Sequence, residues 1–407
     1  MKAVIAGGGI GGLTAALAFR HFGWDVDVFE RAPELGEVGA GIQISPNGMK
    51  VLQALGVAQR IEASAFEPEA LEFRMGQSGV RVFRVPVGDA ARQRWGAPYL
   101  HVHRADLVAA LAAQLEAGDA PGAAGSVHLS TAVSGYENTS SGVTAKLGSS
   151  GSVQGDVLIG ADGIHSSIRT QMVGADAPVF TGNVAWRAVV PMDQLGDLAP
   201  PPTACVWAGP GRHAVTYRLR RGTLANFVGV VERDDWRSES WTQQGTRDEA
   251  LADYAGWHPI LTNLIERADA HYRWALFDRK PLPRWSDGRV CLMGDAAHPT
   301  LPFMAQGAVM AIEDAYVLAR ECAAAPDDIS SALERVYALR IARTSGVQKG
   351  SRANAATFHK RTSLAQLSTY GPMWLAGQLA PGFVLSRQDW LYAEDVTAPT
   401  AARSGRA

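Results

Sequence analysis

The chain has 407 residues, of which 47% are apolar and 19% charged, and its net charge at pH 7 is −2. The length indicates two to three globular domains, and the charge argues against a nucleic acid or an anionic membrane as partner. Three cysteines without CxxC spacing argue against structural zinc and a disulfide scaffold. Without a signal-peptide layout or a long apolar stretch, the sequence predicts a cytoplasmic protein.

The first twelve residues combine a short apolar run with a glycine pattern. Met1 to Ala6 is predicted to form a buried strand, and Gly7-x-Gly9-x-x-Gly12 follows it directly. The first glycine allows a tight turn, the second lets the backbone approach a pyrophosphate, and the third allows a helix to pack closely on the strand. The helix expected from Leu13 to Phe22 would point its N-terminal N–H groups at the phosphates.

An acidic residue follows the second predicted strand. Asp25 to Phe29 alternates in character and ends at Glu30, the position from which a carboxylate binds a ribose hydroxyl. The negative charge disfavours a 2′-phosphate, so the nucleotide held here is not NADP. Strand, glycine turn, helix and acid together predict a dinucleotide site, although the glycines alone would also suit a structural turn.

Residues 36 to 153 are predicted to alternate between loops, short strands and helices. The glycine-rich stretches 36–47 and 118–125 are expected to be loops. Alternating apolar and polar residues predict strands in several places, and one helix follows a short strand. The predicted elements are a helix at 48–55, paired strands at 71–87, a strand at 99–104, a helix at 105–115 and a β-meander at 127–153.

A second motif lies at Gly160-Ala161-Asp162-Gly163-Ile164-His165-Ser166-Ser167-Ile168-Arg169. A buried strand over Val157 to Gly160 leads into a carboxylate and a glycine that permits positive φ. Ser166 or Ser167 can cap the helix that follows. The pattern is compatible with a ligand-binding turn and equally with a helix cap beside a surface arginine.

The pattern changes at residues 176–275, where predicted strands follow one another without intervening helices. This arrangement is typical of an antiparallel sheet, which we interpret as a separate, inserted domain. The predicted strands are 184–190, 204–208, 213–219 and 224–231, and a helical stretch at 247–268 comes after them.

A third motif, Gly294-Asp295-Ala296-Ala297-His298-Pro299, follows a strand predicted at Arg289 to Met293. An acid at the carboxyl end of such a strand points into the ligand crevice of an α/β sheet. Asp295 could accept hydrogen bonds from ribityl hydroxyls, or it could cap the next turn. A cofactor that touches both this motif and the first glycines must be long, and FAD therefore fits better than NAD.

The stretch after this motif is stiff and apolar. Pro299 and Pro302 restrict the loop, which would keep water away from a reactive flavin. Gly307 and Ala308 begin a predicted helix, whose N-terminal dipole would stabilise an anionic reduced ring.

The C-terminal part is predicted to be helical at 331–358 and in part of 364–385. The expected architecture is α/β: a Rossmann-like FAD-binding domain (1–175 and 276–350), with about 70–98 on the substrate side. An antiparallel β-sheet substrate domain (176–275) is inserted into it. A C-terminal helical region (351–395) and a disordered tail (396–407) complete the chain.

The three motifs, in this order, resemble those of the group A, single-component FAD-dependent aromatic hydroxylases. GADGIHSSIR resembles the family's DG motif, and GDAAHPTLPFMAQGA resembles its GD motif. The latter is most similar to the branch of salicylate hydroxylase and 3-hydroxybenzoate 6-hydroxylase. The resemblance runs from residue 1 to about residue 350, and Asp389-Trp390-Leu391-Tyr392 resembles that branch's C-terminal signature.

The resemblance implies a set of FAD contacts. Arg104 lies in His103-Arg104-Ala105-Asp106-Leu107, which matches the family's arginine-bearing segment, although an ordinary ion pair is the alternative. The expected contacts are Gly7, Gly9, Gly12, Glu30, Arg31, Arg104, Asp162, Asp295, Gly307 and Ala308.

The resemblance also implies a reaction that needs no metal: NAD(P)H reduces the flavin, O₂ adds to form a C4a-hydroperoxyflavin, and a phenolic ring is hydroxylated. A base near the phenol is expected. His213 resembles the histidine that the branch uses, with a surface histidine as the alternative. Tyr217 would share its strand face and line the same pocket, or it could be a core tyrosine. Gln306 and Pro302 would complete the substrate pocket, and Gln306 would orient substrate or hydroperoxide. His298 is a rival base.

Two further arginines bear on the pocket. The branch usually has proline after the tyrosine, where this chain has Arg218, and odd spacing predicts that Arg218 points away from His213. Arg187 could hold a substrate carboxylate bidentately or form a structural salt bridge.

The expected function is hydroxylation of a phenolic acid of the salicylate or 3-hydroxybenzoate type. The same chemistry on a heteroaromatic ring or a larger phenol is the first alternative. An FAD-dependent reductase or dehydrogenase without oxygen insertion, and a non-catalytic sensor, are the others. The resemblance also implies a homodimer. The sequence leaves open the ring position, decarboxylation and the choice between NADH and NADPH.

Overall fold

The computed structural model describes residues 1–36, 41–117, 124–139, 141–148, 151–233 and 243–399. Parts of the predicted glycine-rich loops (37–40 and 118–123) and of the predicted tail (400–407) lie outside the described residues. The strands, in chain order, are β1 Lys2–Ala6, β2 Asp25–Phe29, β3 Gly41–Ile44, β4 Ala70–Met75, β5 Arg81–Pro86, β6 Leu100–His103, β7 Gly125–His128, β8 Gly135–Asn138, β9 Val143–Lys146, β10 Ser152–Gly155, β11 Val157–Gly160, β12 Val179–Pro191, β13 Ala204–Gly209, β14 Arg212–Leu219, β15 Leu224–Glu232, β16 Tyr272–Asp278, β17 Ser286–Asp287 and β18 Val290–Leu292.

The helices connect and cover these strands. In chain order they are α1 Ile10–His21, α2 Pro46–Ala54, α3 Ala58–Glu62, α4 Gly88–Trp95, α5 Arg104–Glu116, α6 Ser167–Val173, α7 Arg247–Asp253, α8 Pro259–Arg267, α9 Gly307–Ala324, α10 Ile329–Phe358, α11 Ser363–Leu379, α12 Pro381–Ser386 and α13 Asp389–Tyr392.

The first sheet is parallel except at one edge. Its order is β17-β18-β11-β1-β2-β7, and only β17 runs antiparallel to its neighbour. The central strands β1 and β11 are almost continuously apolar because helices and sheet bury both of their faces. Four adjacent strands therefore end at one edge, immediately before Gly7, Glu30, Ala161 and Met293, and this edge is where an α/β sheet binds ligands.

The second sheet has the order β16-β12-β15-β14-β13-β4-β5. The strands of the insert pair antiparallel as predicted, whereas β13 and β4 are parallel. This pair differs because β4 arrives from the first domain and not from a neighbouring hairpin of the insert. Residues 70–86 thus extend the inserted sheet as a hairpin.

Each face of the second sheet packs against a different layer. One face carries Trp186, Trp207 and Phe227, which pack with residues of α7 and α8. The opposite face carries Phe73 and Trp274. They pack with Phe303, which lies in the loop at 299–306 (the prolyl loop), and with Phe358 of α10. The second face is therefore the one that looks toward the first domain.

Two local predictions were wrong. The predicted meander at 127–153 contains only β8, β9 and β10 as an antiparallel sheet, because β7 pairs parallel with β2 and extends the first sheet. The predicted disordered tail begins too early: Val396 is buried, and its carbonyl accepts a hydrogen bond from Arg320. Apolar burial thus holds the chain in place up to at least Val396.

Candidate active site

The glycine turn after β1 is closed tightly enough to exclude side chains. Gly7 has φ +106°, and a Cβ there would lie 2.4 Å from the carbonyl oxygen of Ala161. A Cβ on Gly12 would lie 1.9 Å from the carbonyl oxygen of Gly7. Gly9 is the N-cap of α1 and adds no side-chain cap, so the N-terminal N–H groups of α1 are free of a capping side chain. This arrangement fits a pyrophosphate.

Glu30 is fixed at the end of β2 by backbone donors. The N–H groups of Gly8 and Ala32 donate to its two carboxylate oxygens at 2.7 and 2.8 Å. The carboxylate is therefore held beside the glycine turn, where a nucleotide ribose would lie. Arg31 is exposed to solvent next to it.

Asp162 lies at the carboxyl end of β11. One oxygen accepts from the backbone N–H of Ser167 at 2.8 Å, whereas Oδ1 is buried and has no hydrogen-bond partner among the described residues. Desolvation raises the pKa of this carboxyl, against hydrogen bonds from Ser166, Ile168 and Ser167. A buried acceptor without a donor is costly, and a hydroxyl or N–H of a bound cofactor would satisfy it.

Arg104 and Asp295 lie close enough for their charges to influence each other. Arg104 begins α5, and Asp295 lies in the turn that follows β18. Part of Asp295 is open to solvent, yet protein atoms crowd its carboxyl, so desolvation raises its pKa while the charge of Arg104 opposes that rise. Burial lowers the pKa of Arg104 in turn. The pair offers an acceptor and a cation to one ligand.

The prolyl loop leads from this edge to α9. Pro302 is exposed, while Gly307 and Ala308 are half-buried at the start of α9. Gln306 is 1% exposed. Its amide donates to Ser45 Oγ at 2.9 Å and accepts from Asn47 at 3.2 Å. Both ends of this amide thus tie the loop to α2, and its predicted contact with substrate stays a prediction.

His298 is committed to a buried ion cluster. Its Nε2 lies 2.5 Å from Asp314, which also accepts from Arg340 at 2.7 Å. Arg340 pairs in addition with Glu313 at 2.7 Å, and Arg343 pairs with Glu313 at 2.8 Å. The rival base therefore serves to fix the loop after β18. Asp314 and Arg340 carry no motif and could not be singled out in the sequence.

His213 and Tyr217 lie on the face of the second sheet that looks toward the first domain. His213 is 1% exposed, which removes the alternative of a surface histidine. Its ring centroid is 5.1 Å from those of both Phe303 and Phe358. The Tyr217 ring centroid is 4.8 Å from that of His101. Alternation along β14 thus places both side chains on one face of the sheet, and their predicted roles toward the substrate stay predictions.

Burial sets the protonation of these two groups. Desolvation, together with the nearby His359, holds the pKa of His213 well below 6.5. His213 is therefore neutral at pH 7 and can accept a proton. Burial raises the pKa of the Tyr217 hydroxyl, and the charges of Arg187 and Arg104 oppose that rise. Tyr217 keeps its proton at neutral pH.

The two arginines discussed from the sequence point to different places. Arg187 is buried, with its guanidinium 4.9 Å from the ring centroid of Trp274. Burial and the charge of Arg104 lower its pKa to about 10. The Arg218 guanidinium donates to the carbonyl of Pro200 at 3.0 and 2.7 Å, so it turns away from the pocket as expected.

Sequence comparison places this geometry in a family. The family described as "FAD binding domain" matches residues 1–333. The chain is 36% identical over 397 residues to 3-hydroxybenzoate 6-hydroxylase of Polaromonas naphthalenivorans (strain CJ2), covering 97% of this chain and 96% of that protein. The chain belongs to the single-component FAD-dependent aromatic hydroxylases.

Further comparisons agree with the placement of this hydroxylase. It is 38% identical over 358 residues to a 3-amino-4-hydroxybenzoate 2-monooxygenase of Streptomyces platensis, covering 88% of each chain. The crystal structure of Klebsiella pneumoniae HpxO complexed with FAD and uric acid superposes with a TM-score of 0.82 at 28% identity, covering 95% and 96% of the two chains. The predicted α/β architecture and the FAD cofactor are thereby confirmed.

Within the described residues, no helix of the hydroxylase is long and apolar enough to cross a membrane. The same part of the chain contains no cluster of three or more histidine, cysteine or acidic side chains that could hold a metal ion.

Proposed function

We propose that this hydroxylase inserts one oxygen atom from O₂ into a phenolic aromatic acid, with NAD(P)H as reductant. The observation that carries this proposal is the buried His213, which lies on the same sheet face as Tyr217 and beside Phe303 of the prolyl loop. A neutral imidazole in a water-poor pocket is suited to accept the proton of a ring hydroxyl. The resulting phenolate is electron-rich and reacts faster with an electrophilic oxygen donor.

The residues at the carboxyl edge of the parallel sheet fit FAD and would hold it. The α1 N-terminus would bind the pyrophosphate, Glu30 the ribose, and Asp162, Arg104 and Asp295 the remaining polar groups. The flavin supplies the redox and oxygen chemistry when bound. The start of α9, at Gly307 and Ala308, would direct backbone N–H groups and a positive dipole at the ring.

The substrate carboxylate would lie against Arg187. The guanidinium is buried, and this burial together with the charge of Arg104 lowers its pKa. Two cations that repel each other, one buried and one half-buried, are stabilised by an anion placed between them. A planar guanidinium also binds a carboxylate in a bidentate manner, which fixes the orientation of the aromatic ring.

NAD(P)H would bind only transiently. The sequence contains no second Gly-x-Gly-x-x-Gly pattern outside the turn that the FAD site uses. We therefore expect the reductant to reach the flavin from the surface without a dedicated nucleotide-binding fold.

The test is a panel of hydroxybenzoates and hydroxypyridines, scored for substrate-stimulated NAD(P)H oxidation, with the products identified by mass. We expect a phenolic acid to stimulate oxidation and to gain 16 mass units, the mass of one oxygen atom, or to lose 28 units where the new hydroxyl replaces a carboxylate that leaves as CO₂. A heteroaromatic hydroxylase would respond to the pyridines instead. A reductase or dehydrogenase would oxidise NAD(P)H without any hydroxylated product.

His213→Ala separates catalysis from cofactor binding. The hydroxylation rate should fall by about 10²- to 10⁴-fold, which is the usual contribution of a general base. The flavin content should stay unchanged, because His213 lies outside the edge that fits FAD. Unchanged turnover would remove His213 from the reaction.

We also propose that two copies of the hydroxylase associate through α11 and α12. Residues 363–386 contain no charged side chain. Several of their large apolar side chains are exposed, and such a patch is typical of an interface; they are Leu364, Leu367, Leu375, Leu379 and Phe383. Sedimentation velocity should give a dimer for the wild type and a monomer for Leu379→Glu. A monomeric wild type would refute the proposal.

A further inference from the structure

His213 is the first member of a hydrogen-bonded chain that reaches the protein surface. Its Nδ1 lies 2.7 Å from Nε2 of His359, and Nδ1 of His359 lies 2.9 Å from Oε1 of Glu232. The other oxygen of Glu232 pairs with Arg361. The side chains become progressively more exposed from one member of this hydrogen-bonded series to the next: 4% for His359, 31% for Glu232 and 71% for Arg361.

The fold brings these residues together from three elements. His213 is near the start of β14, and Glu232 ends the neighbouring strand β15. The backbone N–H of Glu232 donates to the carbonyl of Gly211, next to the start of β14. His359 follows the last residue of α10. The Tyr254 hydroxyl donates to the backbone carbonyl of His213 at 2.7 Å, which fixes the strand at this point.

Charge determines which ring nitrogens carry protons. The Glu232 carboxylate only accepts hydrogen bonds, so the facing Nδ1 of His359 must carry a proton. A neutral His359 then has a bare Nε2, which accepts from a proton on Nδ1 of His213. A neutral His213 must consequently have a bare Nε2, and Nε2 has no hydrogen-bond partner among the described residues.

We propose that Glu232 and His359 are positioning residues that fix the tautomer of His213 and conduct the substrate's proton to the surface. This inference rests on the proposed phenol chemistry. The phenol proton forms a bond to Nε2 of His213 while the Nδ1 proton moves to Nε2 of His359. The Nδ1 proton of His359 then moves to Glu232, from which it leaves to water. These steps transfer protons only and change no oxidation state.

The hydrogen-bonded series from His213 to Glu232 resolves a difficulty of an isolated buried base. Desolvation disfavours a charged His213, and desolvation likewise lowers the pKa of His359, while Glu232 raises it and Arg361 lowers it. A proton kept on either ring would therefore be held at a high free-energy cost. Transfer to a partly exposed carboxylate removes that cost.

The proposal predicts a distinct pH dependence. The pKa of His359 lies below 6.5, and His359 becomes doubly protonated when the pH falls through that value. Its Nε2 then donates to Nδ1 of His213. A neutral His213 must in turn carry its proton on Nε2, which is no longer free to accept one. The hydroxylation rate should therefore decline on the acid side. Glu232→Gln removes the carboxylate that raises the pKa of His359, so the acid limb should move to lower pH while the plateau rate falls by about 10- to 100-fold.

The experiment uses the FAD-loaded enzyme with 3-hydroxybenzoate as the probe. Single-turnover hydroxylation is measured against pH for the wild type, Glu232→Gln, His359→Gln and the control Glu137→Gln, an exposed acid that also pairs with a cation. His359→Gln keeps an acceptor for His213 but cannot pass a proton, so its plateau should fall and its acid limb should move down to the pH at which His213 itself is protonated. KM and FAD content should stay within twofold of the wild type, and the control should match the wild type throughout.

A second readout does not depend on turnover. Nitrogen-15 spectra of the histidine-labelled holoenzyme should show His213 with a protonated Nδ1 and a bare Nε2, and Glu232→Gln should raise the share protonated at Nε2. A wild-type His213 protonated at Nε2, or an unchanged acid limb and plateau in Glu232→Gln, would overturn the proposal. Absence of any hydroxylated product from the wild type across the panel of hydroxybenzoates would refute the proposed function instead, and the spectra would still decide the tautomer.

Discussion

Arg187 illustrates how a single side chain can select the substrate. A charge-assisted hydrogen bond contributes about 1.5–3 kcal/mol, which corresponds to roughly 10- to 150-fold in binding. Arg187→Gln should therefore raise KM for a hydroxybenzoate by about that factor and leave KM for the matching hydroxybenzamide nearly unchanged. Steady-state kinetics with the two compounds test this directly. An equal effect on acid and amide would show that Arg187 does not bind the carboxylate.

At the same scale, the sequence predicted some residues and missed others. The positions of Glu30, Asp162 and Asp295 at the sheet edge could be predicted because each lies shortly after the end of a strand of the parallel sheet, and the topology brings such positions together. His359 and Glu232 could not, because 146 and 127 positions separate the bonded pairs His213–His359 and Glu232–His359. No spacing rule connects a strand end to the residue after a distant helix.

The turn between β1 and α1 depends on the absence of a side chain. Gly12→Ala would place a Cβ 1.9 Å from the carbonyl oxygen of Gly7, so α1 must shift away from β1 and its N–H groups must leave the phosphates. We expect loss of most bound FAD, measured by absorbance of the purified protein. Gly382→Ala in α12, where a Cβ meets nothing within 4 Å, should retain full flavin content.

Local sequence patterns predicted several strands but not all of the strand pairings. Alternating residues predicted the hairpin of β4 and β5, and successive short strand patterns without intervening helices predicted the strands of the insert. The same alternation could not reveal that β7 joins the first sheet, since pairing depends on the register of distant strands. Likewise, the parallel pairing of β13 with β4 follows from tertiary packing of the hairpin against the insert.

At the scale of the whole molecule, buried charges tie the sheet edge to the helices α9 and α10. Glu313 and Asp314 are opposed by Arg340 and Arg343, and the pKa of each acid is lowered to about 2 despite desolvation. Because these folded-state values lie below the ordinary ones near 4, the cluster stabilises the protein above pH 4. That stabilisation is lost as the pH falls from about 4 to 2.

Removing one cation from this cluster should be severe. Arg340→Met leaves buried carboxylates with less countercharge, and we expect unfolding free energy to fall by about 3–5 kcal/mol. Urea denaturation at pH 7 measures the change. Arg335→Met, on the same helix but with an exposed side chain that pairs with Glu321, should cost less than about 1 kcal/mol. Equal losses for the two variants would contradict a special role for the cluster.

The most direct test of the whole account is hydroxylation under ¹⁸O₂. The purified protein should be yellow and should convert a hydroxybenzoate, in the presence of NADH or NADPH, into a product that carries one ¹⁸O atom. A colourless protein that takes up no added FAD, or a flavoprotein whose product contains no oxygen from O₂, would contradict it.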